Sequence, residues 1–73
     1  MILSQIRLKR LNAEIDIETA VKKLGISKSM LYKIETGNRS PSTGVIRKMS
    51  KLYKCSVDEI FKALKLNKEV KNG

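Results

Sequence analysis

The feature that most constrains the fold is a single glycine, Gly25, between two short segments with apolar residues at helical spacing. Ile17, Ala20 and Leu24 precede it at i, i+3 and i+7, which places them on one face of a helix. Ser27 follows it and is a favoured first cap of a new helix. Glycine takes the left-handed conformation that ends a helix without steric cost. The pattern predicts two short helices joined by a sharp turn within residues 17–36.

The same spacing of apolar residues predicts three further helices and no strand, so we expect an all-α fold of five helices. The first is predicted from Leu3 to Ala13, with Ile2, Leu3, Ile6 and Ala13 on its inner face. Ser42 is predicted to cap the fourth, whose inward residues are Val45, Met49, Leu52 and Tyr53. Ser56 and Glu59 are a capping box for the fifth, whose apolar stripe is Val57, Ile60, Phe61 and Leu64.

The length of 73 residues leaves room for one domain with a modest core. We expect that domain at residues 1–66, followed by a Lys-rich flexible tail at residues 67–73. Cys55 is the only cysteine, so it cannot form an internal disulfide, which favours a reducing, cytoplasmic location. The sequence has no apolar run long enough for a signal peptide or a membrane span, so we expect no membrane partner.

The charge of the chain is strongly positive: 16 Lys and Arg against 7 Asp and Glu give a formal net charge of +9. Residues 37–56 contain five basic residues and no acidic one. Such a surface favours a polyanionic partner, because binding it releases counterions from phosphates. A solvated basic surface without a partner is the alternative that charge alone leaves open.

The sequence lacks the residues that an enzyme site would need. It contains no His, its one Cys has no plausible base, and it has neither a phosphate-binding glycine pattern nor a cluster of metal ligands. We therefore expect no catalytic residue, metal, cofactor or small-molecule ligand.

Several motifs at fixed spacing resemble one known family. These are the run from Leu24 to Ser29, Leu31, the Ile34-Glu35 pair, Gly37, Arg39, Pro41-Ser42, Leu52 and the segment from Cys55 to Ile60. Together they resemble the lambda-repressor/Cro family, also called the xenobiotic-response-element type, over about residues 2–64. The resemblance implies a helix-turn-helix in helices 2 and 3, which binds double-stranded DNA in transcriptional regulation, as a repressor or Cro-like protein.

The resemblance also assigns roles to individual positions. It implies base readout by five residues of the recognition helix, which are Ser27, Lys28, Ser29, Tyr32 and Lys33. It implies phosphate-facing positions at Arg10, Ile17, Asn38, Arg39, Ser42 and Thr43. It further implies that an ion pair between Arg10 and Glu35 supports the recognition helix, with Gly25 at the turn.

Four departures from the family pattern affect this assignment, and one of them is Val21, which replaces a usual alanine at the contact between the two helices. Ile17 stands where the family commonly has a phosphate-binding Gln, so this chain has no side-chain amide there to bind a phosphate. Glu14 replaces a usual glycine after the first helix. Ser42 stands where some relatives carry a basic residue. These departures change the expected contacts more than the class of function, and they shift the expected affinity toward the basic segment after Gly37.

Two functions remain open at this point. A regulator would act as a homodimer on a palindromic operator, since one recognition helix reads few base pairs. An antitoxin or adaptor would use the same fold mainly to bind another protein, through Leu8, Leu11 and the apolar end of the fifth helix.

Overall fold

The computed structural model describes residues 4–72 of the chain, and the side chains of residues 4–65. Within these residues it contains no strand, and the all-α fold class predicted from the sequence is confirmed. The helices that it describes are α1 Gln5–Asn12, α2 Ile17–Leu24, α3 Lys28–Glu35, α4 Thr43–Leu52 and α5 Val57–Asn72.

Each helix begins at a hydroxyl or carboxylate side chain that accepts a hydrogen bond from a backbone N–H three residues further on. The predicted caps Asp16, Ser27, Ser42 and Ser56 all make this bond. Ser4 makes it as well, so α1 begins at Gln5 and not at Leu3, and Ile2 and Leu3 lie outside the described residues. The bond from the Thr19 N–H lowers the pKa of Asp16, because it favours the charged carboxylate.

Gly25 ends α2 in the left-handed conformation predicted for it, with φ of 69°. Its N–H donates to the carbonyl of Val21 at 2.9 Å. A Cβ added at this position would meet only the Lys48 Nζ, at an ordinary contact distance of 3.7 Å. The backbone conformation, and not a lack of space, is therefore what requires glycine at the turn.

All five helices contribute buried residues to one core. Ile6 of α1, Leu24 of α2 and Leu31 of α3 are fully buried in it. The complete set of buried apolar residues among those described is Ile6, Ala20, Leu24, Leu31, Ile34, Ile46, Met49, Tyr53, Ile60 and Ala63. One face of α3 is thus fixed by packing in the core, which also fixes the direction in which its opposite face points.

The predicted inward faces of the last two helices need correction. On α4 the buried residues are Ile46 and Met49, followed by Tyr53, while the predicted Val45 and Leu52 lie only at the edge of the core. On α5 the buried residues are Ile60 and Ala63, and Phe61 is 51% exposed. Adjacent residues differ by about 100° around a helix, so a stripe through Ile60 and Ala63 turns Phe61 outward.

Glu14, in the link between α1 and α2, has φ of 60°, a conformation that glycine adopts far more readily. A residue with a Cβ is strained in this left-handed conformation, so the chain carries a local strain there. We predict that Glu14→Gly raises the free energy of unfolding by up to about 1 kcal/mol, because relief of the left-handed strain exceeds the added entropy of the unfolded chain. Urea denaturation followed by circular dichroism measures this change.

Glu14→Ala is the matched control for this substitution. It removes the same carboxylate but keeps a Cβ in the left-handed conformation, so we expect no gain in stability. Equal urea concentrations at the midpoint of unfolding for Glu14→Gly and Glu14→Ala would contradict the explanation by backbone strain.

The C-terminal part of the chain is helical in its backbone as far as Asn72. The side chains from residue 66 onward lie outside those described, so the division into a domain and a flexible tail at residue 67 stays a prediction. Among the described residues, no helix is both long and apolar enough to cross a membrane.

Candidate nucleic-acid interface

Two opposite faces of α3 have different environments. Leu31, Ile34 and Glu35 are buried against the other helices. The residues predicted to read bases are all exposed on the outer face, and they are Ser27, Lys28, Ser29, Tyr32 and Lys33. The Ser27 Oγ accepts the Met30 N–H at 3.0 Å, so this side chain also caps the helix. The outer face therefore presents ammonium and hydroxyl groups on a helix whose inner face is held in the core.

A buried ion pair ties α1 to the end of α3. The Arg10 Nε donates to the Glu35 Oε2 at 2.7 Å, and both side chains are 3% exposed. The Arg10 Nη1 also donates to the carbonyl of Ile15 at 2.9 Å, in the link before α2. One guanidinium thus connects α1, the link before α2 and the end of α3.

The burial of Arg10 changes the role predicted for it. Its nitrogens face Glu35 and Ile15, and its side chain is almost fully enclosed, so in this conformation it cannot reach a phosphate. Ile17 is half-buried and packs against the core, and its apolar side chain has no hydrogen-bonding group for a phosphate. Both side chains therefore pack within the fold.

The loop after α3 keeps its own backbone donors occupied. The N–H groups of Asn38 and Arg39 both donate to the carbonyl of Lys33, at 2.8 and 3.2 Å, and Gly37 donates to that of Ile34. Gly37 has φ of 80°, which allows this reversal. These peptide groups are therefore not available to bind a phosphate. Contacts from this part of the loop would have to come from side chains.

Four side chains around this loop face solvent and can meet an anion. Asn38, Arg39, Ser42 and Thr43 are all exposed. The Asn38 Nδ2 donates to the Thr36 Oγ1 at 2.9 Å, which holds the amide against the end of α3. The Ser42 Oγ accepts the Val45 N–H as the cap of α4, and its own O–H can still donate. Arg39 carries the positive charge of this group.

Lys28 has a partner that the sequence did not indicate. Its Nζ lies 3.1 Å from the Oε1 of Glu18, in the first turn of α2. The hydrogen bond and the charge of Glu18 raise the pKa of Lys28, so its ammonium stays protonated. The two residues lie on different helices and meet only through the turn at Gly25. No periodicity within either helix could have predicted the pair.

The one cysteine of the chain is not in a reactive environment. Burial raises the pKa of the Cys55 thiol, and burial also raises the pKa of the Tyr53 phenol. The thiolate is the nucleophilic form of cysteine, so a raised pKa keeps Cys55 in its unreactive form at neutral pH.

Comparison with known proteins agrees with this geometry. A family model described as helix-turn-helix matches residues 6–60, which is most of the chain. The chain belongs to the Cro/C1-type helix-turn-helix family. The resemblance seen in the sequence is therefore confirmed, and its span agrees with the residues 2–64 expected.

Membership of the helix-turn-helix family sets the broad class of function. The family consists of DNA-binding regulatory domains of the XRE type and is not a family of enzymes. Neither a comparison with curated proteins nor one with solved structures found a significant match. The finer assignment therefore depends on the residues of this chain.

Proposed function

We propose that this helix-turn-helix protein is a sequence-specific transcriptional regulator, a repressor or Cro-like protein, that reads double-stranded DNA with α3. The observation that carries the proposal is the exposed polar face of α3, opposite a face buried through Leu31, Ile34 and Glu35. A helix held in this way can lie in the major groove while α2 crosses the backbone. Such a regulator would act in the cytoplasm.

The exposed side chains of α3 have the chemistry that base edges require. Lys28 and Lys33 can donate to the N7 and O6 acceptors of guanine. Ser29 can donate or accept at several bases, and Tyr32 can pack on a thymine methyl or reach a phosphate. Ser27 lies at the start of the helix, where its hydroxyl can meet the groove edge. We assign base readout to these five residues.

The loop and the start of α4 provide the phosphate contacts in this proposal. Arg39 supplies the charge, and Asn38, Ser42 and Thr43 supply side-chain donors around it. The basic stretch continues through Arg47, Lys48 and Lys51 of α4 to Lys54, which follows that helix. Because Arg10 and Ile17 are turned into the fold, we assign them to support of the recognition helix.

Arg39→Ala is predicted to weaken binding to all DNA sequences by a similar factor, because a phosphate contact carries no sequence information. The slope of log K against log salt should become less steep by about 0.9, the value for one phosphate that is no longer neutralised. Fluorescence anisotropy with specific and random duplexes across a salt series measures both quantities.

Lys9→Ala is the matched control for Arg39→Ala. It removes the same charge from a lysine that already lies 3.4 Å from the carboxylate of Glu59, between α1 and α5. We expect little change in DNA binding from this variant. Loss of preference at one base position in Arg39→Ala would contradict the assignment to phosphate.

We further propose that two copies bind a palindromic operator, with recognition helices about 34 Å apart on one face of the duplex. One helix of eight residues reads too few base pairs for useful specificity. A symmetric footprint with two chains per duplex would support this stoichiometry. A binding isotherm of independent monomers with no preference for a palindrome would refute it.

A second candidate function is favoured by one apolar surface. Phe61 is 51% exposed, and beside it lies a cleft of about 270 Å³ that Pro41 and Leu64 also line. An adaptor or antitoxin could bind a protein there. If the protein acts in this way, removal of the α3 lysines would leave its activity unchanged. If it reads DNA with α3, the same removal would lower its activity.

A further inference from the structure

The pair formed by Glu18 and Lys28 places opposite charges side by side on the face proposed to meet DNA. The Nζ to Oε1 distance is 3.1 Å, and the Lys28 and Glu18 side chains are 54% and 76% exposed. The pair joins the first turn of α2 to the first residue of α3. An acidic side chain so close to a base-reading lysine affects what that lysine can bind.

An unpaired lysine at the edge of the groove would be attracted mainly to phosphate. Its ammonium is a point charge on a flexible chain, and duplex DNA offers about one phosphate charge for every 1.7 Å of its length. With Glu18 beside it, the pair has no net charge. A phosphate that approaches Lys28 also meets a carboxylate and is repelled, whereas a neutral base edge is not.

Lys28 keeps the means to bind a base while it is paired. An ammonium has three N–H donors, and Glu18 needs one of them, so two remain for acceptors. Guanine presents two acceptors, N7 and O6, on its major-groove edge. The exposed ion pair contributes little to folding, so its effect should be visible in binding and not in stability.

We infer that Glu18 is a specificity-determining residue, which keeps Lys28 from phosphates and reserves its ammonium for the N7 and O6 of a guanine. This inference rests on the proposed DNA-binding function. It gives the interface a repulsive element, which is a common way to separate a correct partner from its competitors. Glu18 acts through Lys28 and is a positioning residue.

The test compares DNA selection and salt dependence for the whole chain and for Glu18→Gln, which keeps the shape of the side chain. The wild type is expected to prefer guanine at one base pair, and Lys28→Ala identifies that pair by losing the preference. Glu18→Gln should lose most of the same preference, roughly tenfold. It should also bind random duplex DNA more tightly, with a salt slope steeper by about 0.9, because Lys28 then reaches a phosphate.

Glu59→Gln is the matched control, since it also removes one negative charge from an exposed ion pair, that with Lys9. It should keep the guanine preference and the salt slope. Equal behaviour of Glu18→Gln and Glu59→Gln, or an unchanged guanine preference in Glu18→Gln, would overturn the inference alone. A wild type without any sequence preference would overturn the proposed function, and the inference with it.

Discussion

Glu35→Ala is expected to lower the free energy of unfolding by about 3–5 kcal/mol, the largest effect of any single substitution predicted for this chain. The substitution leaves the guanidinium of Arg10 buried at 3% exposure without the carboxylate that lies 2.7 Å from its Nε. A buried charge without its partner is far less stable than the pair was. Urea denaturation at low temperature, followed by circular dichroism, measures the change.

The exposed pair between Lys9 and Glu59 is the matched control. Its atoms are 3.4 Å apart and both side chains are at least partly exposed, so Glu59→Ala should cost less than about 1 kcal/mol. The joint replacement of Arg10 by Met and Glu35 by Leu should recover most of the stability, because it leaves no unpaired charge. Similar losses of unfolding free energy in Glu35→Ala and Glu59→Ala would show that burial does not determine how much the pair of Arg10 and Glu35 stabilises the fold.

The combined substitution Lys28→Ala and Lys33→Ala is expected to weaken specific DNA binding by roughly 1–3 kcal/mol for each base that these lysines read. Both lysines are exposed on the outer face of α3, so their removal should leave the fold intact. The affinity for random duplex DNA should fall much less than the affinity for the specific site. Anisotropy titrations with a selected site and with a scrambled duplex separate the two effects.

Lys62→Ala with Lys65→Ala removes the same amount of charge from exposed positions on α5 and serves as the control. If the lysines of α3 act only through their general positive charge, the two double variants should lose the same affinity for the specific site. Full specific binding by the α3 variant would rule out base readout by its lysines.

The local features of the fold were predictable because they depend on residues close in sequence. The caps at Asp16, Ser27, Ser42 and Ser56 each bind an N–H three residues away, and Gly25 ends α2 through its own backbone. These are interactions within one turn of helix, so residue type and spacing determine them. The positions of the helices along the chain follow from these local interactions.

The choice of buried residues on α4 and α5 was less predictable. Val45, Ile46 and Leu52 are all apolar, and only the packing of α4 against α2 and α5 decides that Ile46 is the one buried. Phe61 is as apolar as its neighbour Ile60 but turns outward. The spacing of apolar residues predicts that a helix forms. Where two apolar residues are adjacent, the tertiary contacts decide which of them is buried.

The site was predictable in part. The bond of Arg10 to Glu35 followed from the family resemblance, but its near-complete burial did not, and that burial is the reason we propose a supporting role for Arg10. The pair of Glu18 with Lys28 depends on the angle between two helices, which no local pattern encodes. Likewise, no local pattern predicted that the N–H groups of Asn38 and Arg39 donate back to the Lys33 carbonyl of α3.

Selection of bound sequences from random duplex DNA at moderate salt tests the central claim most directly, since it asks whether the outer face of α3 reads bases. We predict that the wild-type chain recovers a palindrome whose half-sites are about 34 Å apart, with at least one invariant guanine in each half. Recovery of no sequence motif, with an affinity that varies with salt but not with DNA sequence, would contradict the proposed function.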